Sequence, residues 1–582
     1  MQDNVNGSLH GWLKFIPLFN LILGISISLP MIVHASPPKN WIIHLKEAAQ
    51  NQDRAHIESI SATERRGRNQ VEQIGIDVAP AMKFTHSLTK TSHIVEGLDD
   101  EALQRLREDA RVESIEENER RYPIKSLRVA SVVSAQEDKT HTLKIQSLTG
   151  IQDHYVSSLW NLDNADAGGA RFGSAWATNT GEDQIIAVLD TGATDHPDLG
   201  TLSSASGIWV STGYTFISDC RLAGTCNAST ADNVSTQSPI NNAYDLGDGV
   251  KTTDVQYDVF KDCTVEANSW HGTHLSGIVA AMPNTVGLVG ASYGARVLPV
   301  RVIGKCGAQV SDIANAIRWA VGLPVSGASM NPHPSKIIGL SLGSYGSCSH
   351  AEQEAINDAT TAGAVIVVAA GNEGVNTDVR AVTPTNCQNV IAVTAHSRLG
   401  LHASYANIGS VVAISAPGGD FENPNNRTDT TGWILSSWNT GTYALGSPTY
   451  AYEIGTSQAV PHVLSAIALL RKSYPDITVA EIKRALKTSA RPFLAEDTTC
   501  QVAGRCGAGL LDAEAALISA QTIIANRGQE VTTDVTVQSS SSSGGGGCTL
   551  GKGSDHTLVL PVLLLVALHI RRKQKRNKET EV

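Results

Sequence analysis

Three short runs carry apolar residues without a break: Ile185-Ile-Ala-Val-Leu189, Ile337-Ile-Gly-Leu340 and Ala364-Val-Ile-Val-Val-Ala-Ala370. A strand with one face in water alternates apolar and polar positions, whereas a strand covered on both faces does not. These runs therefore predict strands of a parallel sheet held between helical layers. The first is followed by Asp190, the second by Ser341, and the third by a glycine-flanked amide, Asn372. A further apolar stretch, Leu464-Ser-Ala-Ile-Ala-Leu-Leu470, follows a Gly-Thr-Ser turn and reads as a helix. Nearer the start, Asn40-Trp-Ile-Ile-His-Leu45 reads as a strand, Ile94-Val-Glu-Gly97 precedes a short acidic-capped helix over 99–109, and 112–117 alternates like a strand. The expected architecture is an α/β sheet domain preceded by a small α+β unit over 36–150.

Candidate chemistry sits where those patterns break. Asp190-Thr-Gly192 closes the first strand. Trp270-His271-Gly-Thr-His274-Leu-Ser-Gly277 and Gly455-Thr-Ser457-Gln-Ala-Val-Pro461 follow in order. A serine hydroxyl needs a base to take its proton and a carboxylate to orient that base, so Ser457, His271 and Asp190 form a chemically complete set. A serine at a strand-to-helix turn lies near the positive end of the helix dipole, and Pro461 is expected in the first turn, where a missing N–H costs little. Alone, Asp-Thr-Gly is an ordinary turn and a single histidine an ordinary packed residue. Together, in the order Asp, His, Ser, they specify a peptidase arrangement.

These blocks, with Gly371-Asn372-Glu-Gly374, resemble the subtilase family of serine endopeptidases over residues 151–525. The resemblance implies a doubly wound, mostly parallel sheet. It implies that Asn372 and the Ser457 N–H donate to an oxyanion, and that Ser341-Leu342-Gly343 is an edge to which a peptide substrate adds as a strand. It also implies that Val382-Thr-Pro384 floors the primary pocket, with Glu373 at its rim. A structural calcium is implied at Asp198, Asn284 and the carbonyls of Met282, Val286 and Leu288. Residues 36–150 resemble an inhibitory propeptide, and the position of the cut between Arg121 and Ile151 stays open. The chain departs from the family where Gln458 follows the nucleophile in place of methionine, and at Val460 and Ser465. A second acidic pair, Asp245 and Asp248, lies in a loop and is expected to be solvated, with metal binding as the other reading.

Length and composition frame this. The chain has 582 residues, 41% hydrophobic and 17% charged, with a formal charge of −11. That is globular, and the acidic balance disfavours nucleic acid as a partner. Residues 1–35 read as a secretory leader cut after Ala35. Eight of the nine cysteines lie in the enzyme region, which in an exported chain implies disulfides. Spacing leaves the connectivity open. Pairing Cys348 with Cys387 and Cys263 with Cys306 would bracket active-site blocks, while Cys220–Cys226 and Cys500–Cys506 are local closures and Cys548 is left over. A Ser/Gly-rich linker over 526–547 leads to 548–582, a short apolar stretch with a basic end. This tail resembles a bacterial sorting signal read by a membrane protease, or a membrane anchor. The expected partners are thus protein or peptide substrates, the chain's own propeptide and that sorting protease. The alternative reading is a catalytically silent binding protein at the cell surface.

Overall fold

The computed structural model describes residues 39–46, 60–124, 129–130, 148, 150–218, 241–256, 260–374, 377–421 and 429–527. The leader, the Cys220–Cys226 pair, the linker beyond 527 and the tail with Cys548 lie outside the described residues.

The first unit is β1 (Asn40–Leu45), α1 (Ile60–Val78), β2 (Lys83–Ser87), β3 (Ser92–Glu96), α2 (Asp100–Glu108) and β4 (Val112–Glu117). Its antiparallel sheet runs β2-β3-β1-β4, a split βαββαβ arrangement. Asp99 caps α2 by accepting from the Ala102 N–H. Side chains alternate along β1. Trp41, Ile43 and Leu45 pack with Val71, Ile74, Leu103 and Leu106 of the two helices, while Ile42 faces the other way into a cluster shared with the following unit. Both faces of this small sheet are covered. The chain continues as β5 (Arg120–Pro123) and β6 (Val129–Ala130).

The second unit contains β7 (Ile185–Asp190), β8 (Tyr214–Thr215), α3 (His271–Ala280), β9 (Arg296–Arg301), β10 (Ala308–Gln309) and α4 (Val310–Ala320). Then come β11 (Ile337–Leu340), β12 (Leu342–Tyr345), α5 (His350–Thr361), β13 (Val365–Ala369), β14 (Val382–Thr383), β15 (Val390–His396) and β16 (Val412–Pro417). It closes with β17 (Ile434–Asn439), β18 (Pro448–Glu453), α6 (Thr456–Ser473), α7 (Val479–Ser489) and α8 (Ala513–Ala525). Seven strands pair in parallel in the order β16-β15-β13-β11-β7-β9-β8. Along β7, Ile186 and Val188 join the core with α3, α6 and α8, whereas Ala187 and Leu189 join the core with α4 and α5. This two-sided cover is the physical reason for the unbroken apolar runs, and the sheet is doubly wound. The strand order reverses between β7 and β11, and ligands of such sheets bind at the carboxyl ends beside that reversal.

Among the described residues the disulfides Cys263–Cys306, Cys348–Cys387 and Cys500–Cys506 are formed. Among the described residues no helix is long and apolar enough to cross a membrane.

Candidate active site

Three neighbouring strands deliver the site. β7 ends in Asp190, β11 runs directly into Ser341, and β13 leads through Gly371 to Asn372. α3 begins at His271 and α6 carries Ser457 in its first turn. His271 Nδ1 lies 2.8 and 3.0 Å from the two Asp190 carboxylate oxygens. Asp190 Oδ1 also accepts from the Thr191 N–H at 2.8 Å, and Thr191 Oγ1 accepts from the Gly272 N–H at 3.0 Å. These bonds fasten the strand end to the helix start. Glycine at 272 permits the approach, since a Cβ there would sit 2.1 Å from the Gly192 carbonyl oxygen. Burial pushes the His271 pKa down, but the Asp190 carboxylate outweighs it and lifts the value to about 9. Among the described residues His271 Nε2 has no hydrogen-bond partner.

Ser457 Oγ donates instead to the carbonyl oxygen of Ile124 at 2.8 Å. The Ile124 N–H donates to the Ser341 carbonyl at 3.0 Å. β5 lies antiparallel to β12, with Pro123 opposite Leu342 and Tyr122 opposite Gly343. Ser341, Leu342 and Gly343 thus form a sheet edge filled by the chain's own residues 120–124. Downstream, β6 pairs with β18, so both flanks of 125–128 are strand-paired to the second unit.

The Thr456 N–H and hydroxyl both donate to Asn372 Oδ1 at 2.9 Å, which fixes the amide and makes Nδ2 the donor it offers. Asn372, Glu373 and Val382 line, with Ile124 and Tyr345, a cavity of about 480 Å³ beside the filled groove. Thr383 turns away from it and donates to Glu352 at 3.1 Å. The Thr383–Pro384 peptide is cis.

Some expectations need correcting. Pro461 is the sixth residue of α6, not part of its first turn. It has no N–H for the Ser457 carbonyl one turn earlier, and the Ser341 hydroxyl donates to that oxygen at 3.4 Å. Asp245 and Asp248 are buried, not solvated. Burial raises Asp245 to about 7 against the opposing charge of buried Arg301. Arg301 also donates to the Thr191 and Gly247 carbonyls at 3.0 and 3.1 Å, so the protein's own cation sits with this pair and braces the turn after Asp190. Gln458 is buried and donates to Glu453 at 2.7 Å. Val460 packs into the main core, and Ser465 accepts from Ser292 at 3.1 Å.

The proposed cation donors converge in part. Asp198 Oδ2 accepts from the Leu288 N–H at 2.9 Å, the Tyr450 hydroxyl and the Asn284 amide also favour its charged form, and its buried Oδ1 has no hydrogen-bond partner among the described residues. The Asn284 side chain donates to Pro197 at 3.1 Å and accepts from the Val286 N–H at 2.9 Å. The Met282 N–H donates to the Asp198 carbonyl at 2.9 Å. Sequence reading missed Asp153, whose Oδ1 accepts from the Asn284 and Thr285 N–H groups at 3.0 and 3.1 Å and whose buried Oδ2 is also unpartnered. Burial raises the Asp198 pKa, and the Asp153 charge adds to that rise. Two carboxylates that feel each other's charge, each with one oxygen unpartnered among the described residues, fit a hard, oxygen-seeking cation.

The chain is similar to known proteins. A family model described as "Subtilase family" matches residues 181–526. An extracellular protease of Xanthomonas campestris pv. campestris is 39% identical over 411 residues, covering 70% of this chain and 63% of the relative. An extracellular basic protease of Dichelobacter nodosus is 34% identical over 345 residues, covering 58% and 51%. The matched part thus spans less than two thirds of either relative. Subtilisin Savinase of Lederbergia lenta is 32% identical over 247 residues, covering 42% of this chain and 77% of the relative. A solved protease structure from Pseudoalteromonas arctica aligns with a TM-score of 0.55 at 38% identity, covering 63% of this chain and 99% of that one. With the family model matched across the whole sheet enzyme region and the strand-end site in place, this chain belongs to the subtilase family.

Proposed function

We propose that this chain is an exported serine endopeptidase, made as a zymogen whose first unit inhibits the second until the bond after Ile124 is cut. The observation that carries the reading is the 2.8 Å approach of Ser457 Oγ to the Ile124 carbonyl oxygen within a strand-paired segment. In this reading Ser457 Oγ attacks the Ile124 carbonyl carbon, and His271 Nε2 takes the hydroxyl proton. Asp190 stabilises the imidazolium. The Asn372 Nδ2 and Ser457 N–H donate to the carbonyl oxygen as it becomes negative. His271 then returns the proton to the departing amine, and water hydrolyses the acyl-enzyme on Ser457. An extended peptide takes the same edge once residues 120–124 leave it, held along the strand by backbone hydrogen bonds.

Further contacts support the inhibitory role of the first unit. Glu116 accepts from the His350 and Ala351 N–H groups at 2.8 and 2.9 Å, and Asn118 accepts from the Ser311 N–H at 3.0 Å, capping α5 and α4. Capping contacts of this kind are worth about 1 kcal/mol each. A calcium ion held by Asp198, Asp153 and Asn284, with the carbonyls of Met282, Val286 and Leu288, would neutralise the carboxylate pair and stiffen that loop. The apolar leader and the extracellular relatives support export. In this reading the tail over 548–582 is a sorting signal for a membrane protease.

The test compares wild type with Ser457→Ala by intact mass, N-terminal sequencing and fluorophosphonate labelling. Wild type is expected to begin at Lys125 and to label, while Ser457→Ala stays uncut and unlabelled. Equal cutting of the two, or an unlabelled wild type of correct mass, would refute the reading.

A further inference from the structure

Arg121 is three residues before Ile124, and both its guanidinium and the Glu352 carboxylate it meets are fully buried, at 0% exposure. The pairing is bidentate, with Nε to Oε1 and Nη2 to Oε2 both at 2.9 Å. The remaining nitrogen, Nη1, donates to Glu119 at 2.8 Å, Ser344 at 3.2 Å and its neighbour's carbonyl at 3.4 Å. Glu352 belongs to the enzyme. It sits in the first turn of α5, where its backbone N–H donates to Ser349 Oγ at 3.1 Å. Its other side-chain donors are the Thr383 hydroxyl at 3.1 Å and a long contact from the Ser349 N–H at 3.4 Å.

We infer that Glu352 floors an arginine-specific subsite of the substrate groove, selecting peptides with arginine three residues before the residue whose bond is cleaved. The inference rests on the reading that residues 120–124 occupy the groove as a substrate does. The register is set by backbone: Ile124 bonds Ser341, Pro123 lies opposite Leu342 and Tyr122 opposite Gly343. An extended peptide with its reactive carbonyl at Ser457 brings its own side chain three residues upstream to the place Arg121 holds. A neutral side chain there leaves a buried carboxylate without a countercharge, and an apolar one lies directly against it. A lysine supplies charge but not the planar fork that meets both carboxylate oxygens. The Arg121 pKa is raised, because Glu352 outweighs the opposing effect of burial, in keeping with a permanently charged occupant.

The test uses the processed enzyme and four peptide anilides, acetyl-Xaa-Tyr-Pro-Ile-anilide with Xaa as Arg, Lys, Leu or Ala. Wild type is expected to cleave the arginine peptide with kcat/KM on the order of 10- to 100-fold above the alanine peptide, with lysine between them. Glu352→Gln keeps a side chain suited to the helix cap, and it should bring the Arg/Ala ratio close to one. Equal kcat/KM for the arginine and alanine peptides, from an enzyme beginning at Lys125, would overturn the arginine subsite and leave the self-cleavage reading standing. A ratio unchanged in Glu352→Gln would overturn the assignment to Glu352. An enzyme beginning elsewhere that still prefers arginine and loses the preference in Glu352→Gln supports the subsite and overturns the cut after Ile124. Failure to cleave any of the four overturns both.

Discussion

The pH dependence of catalysis follows from one contact. His271 Nδ1 stands 2.8 Å from Asp190, and the imidazole pKa rises from 6.5 to about 9 although burial opposes the charge. Such a rise is a preference for the charged ring of about 3 kcal/mol. A general base must be neutral, so activity should increase with pH as the imidazolium loses its proton. Departure of residues 120–124 admits water to the ring, which weakens both the burial penalty and the carboxylate field. The acid limb of kcat/KM should therefore lie between 6.5 and about 9 in the processed enzyme. The stability linkage has the opposite sense. A folded pKa above the unfolded one stabilises the fold below 6.5, and that contribution is lost as pH rises through about 9. Asp190→Asn removes the largest part of that field and leaves burial opposed only by the weaker charges of Glu453 and Asp248, so its acid limb should move down from the wild-type position while turnover falls by roughly 10⁴. The assay is kcat/KM for a single peptide anilide from about pH 5 to about pH 11. A wild-type limb below 6.5, or the same limb in Asp190→Asn, would refute the assignment of Asp190 as the controlling charge.

Other outcomes follow from the same geometry. Asn372→Ala should lower kcat by about 10²–10³ with little change in KM, the scale long attached to loss of one oxyanion donor in subtilisin and not worked out from this geometry; steady-state kinetics decide it. Chelation should lower the Tm of processed wild type, whereas the double variant Asp153→Asn with Asp198→Asn should melt at one temperature with or without chelator. Calorimetry showing chelator-independent wild-type melting would remove calcium from the account. Gln458 puts no thioether beside Ser457, the proposed nucleophile, so activity should survive mild peroxide, and Gln458→Met should become sensitive. Rapid loss of wild-type activity in residual-rate assays after peroxide would contradict this.

What was legible in the sequence was whatever a local pattern enforces. Unbroken apolar runs gave β7, β11 and β13 because two helical layers cover them, and the residues ending those runs carry the site. Contacts made across long stretches of chain were not legible. Asp153 meets Asn284 from a loop with no motif of its own, and Arg121 finds Glu352 from the far unit. Asp245 and Asp248 looked like surface acids because nothing local marks Arg301 as their buried partner. α1 is not marked by a local pattern, since its sequence is polar on average and interrupted by Gly67 and Gly75. Gly67 is there for space: a Cβ would sit 2.4 Å from the Lys90 carbonyl oxygen. Pro461 was misplaced because the helix begins at Thr456, a boundary set by the clamp on Asn372 rather than by propensity.

If the proposed zymogen reading holds, the two-sided burial of the first unit's sheet would make activation a ratchet. While joined to the enzyme, β1 and β3 hide Ile42 and Ile94 against α4 and α5, and Glu116 and Asn118 spend their oxygens on those helices. Once the backbone is cut after Ile124, a freed fragment carries an apolar face with nothing over it and acids without their donors. Its folded form loses part of what held it together, so the fragment drifts toward the unfolded chain, which is itself a ready peptide substrate. Rebinding would then compete with destruction, and each cut would erase the inhibitor that delayed it.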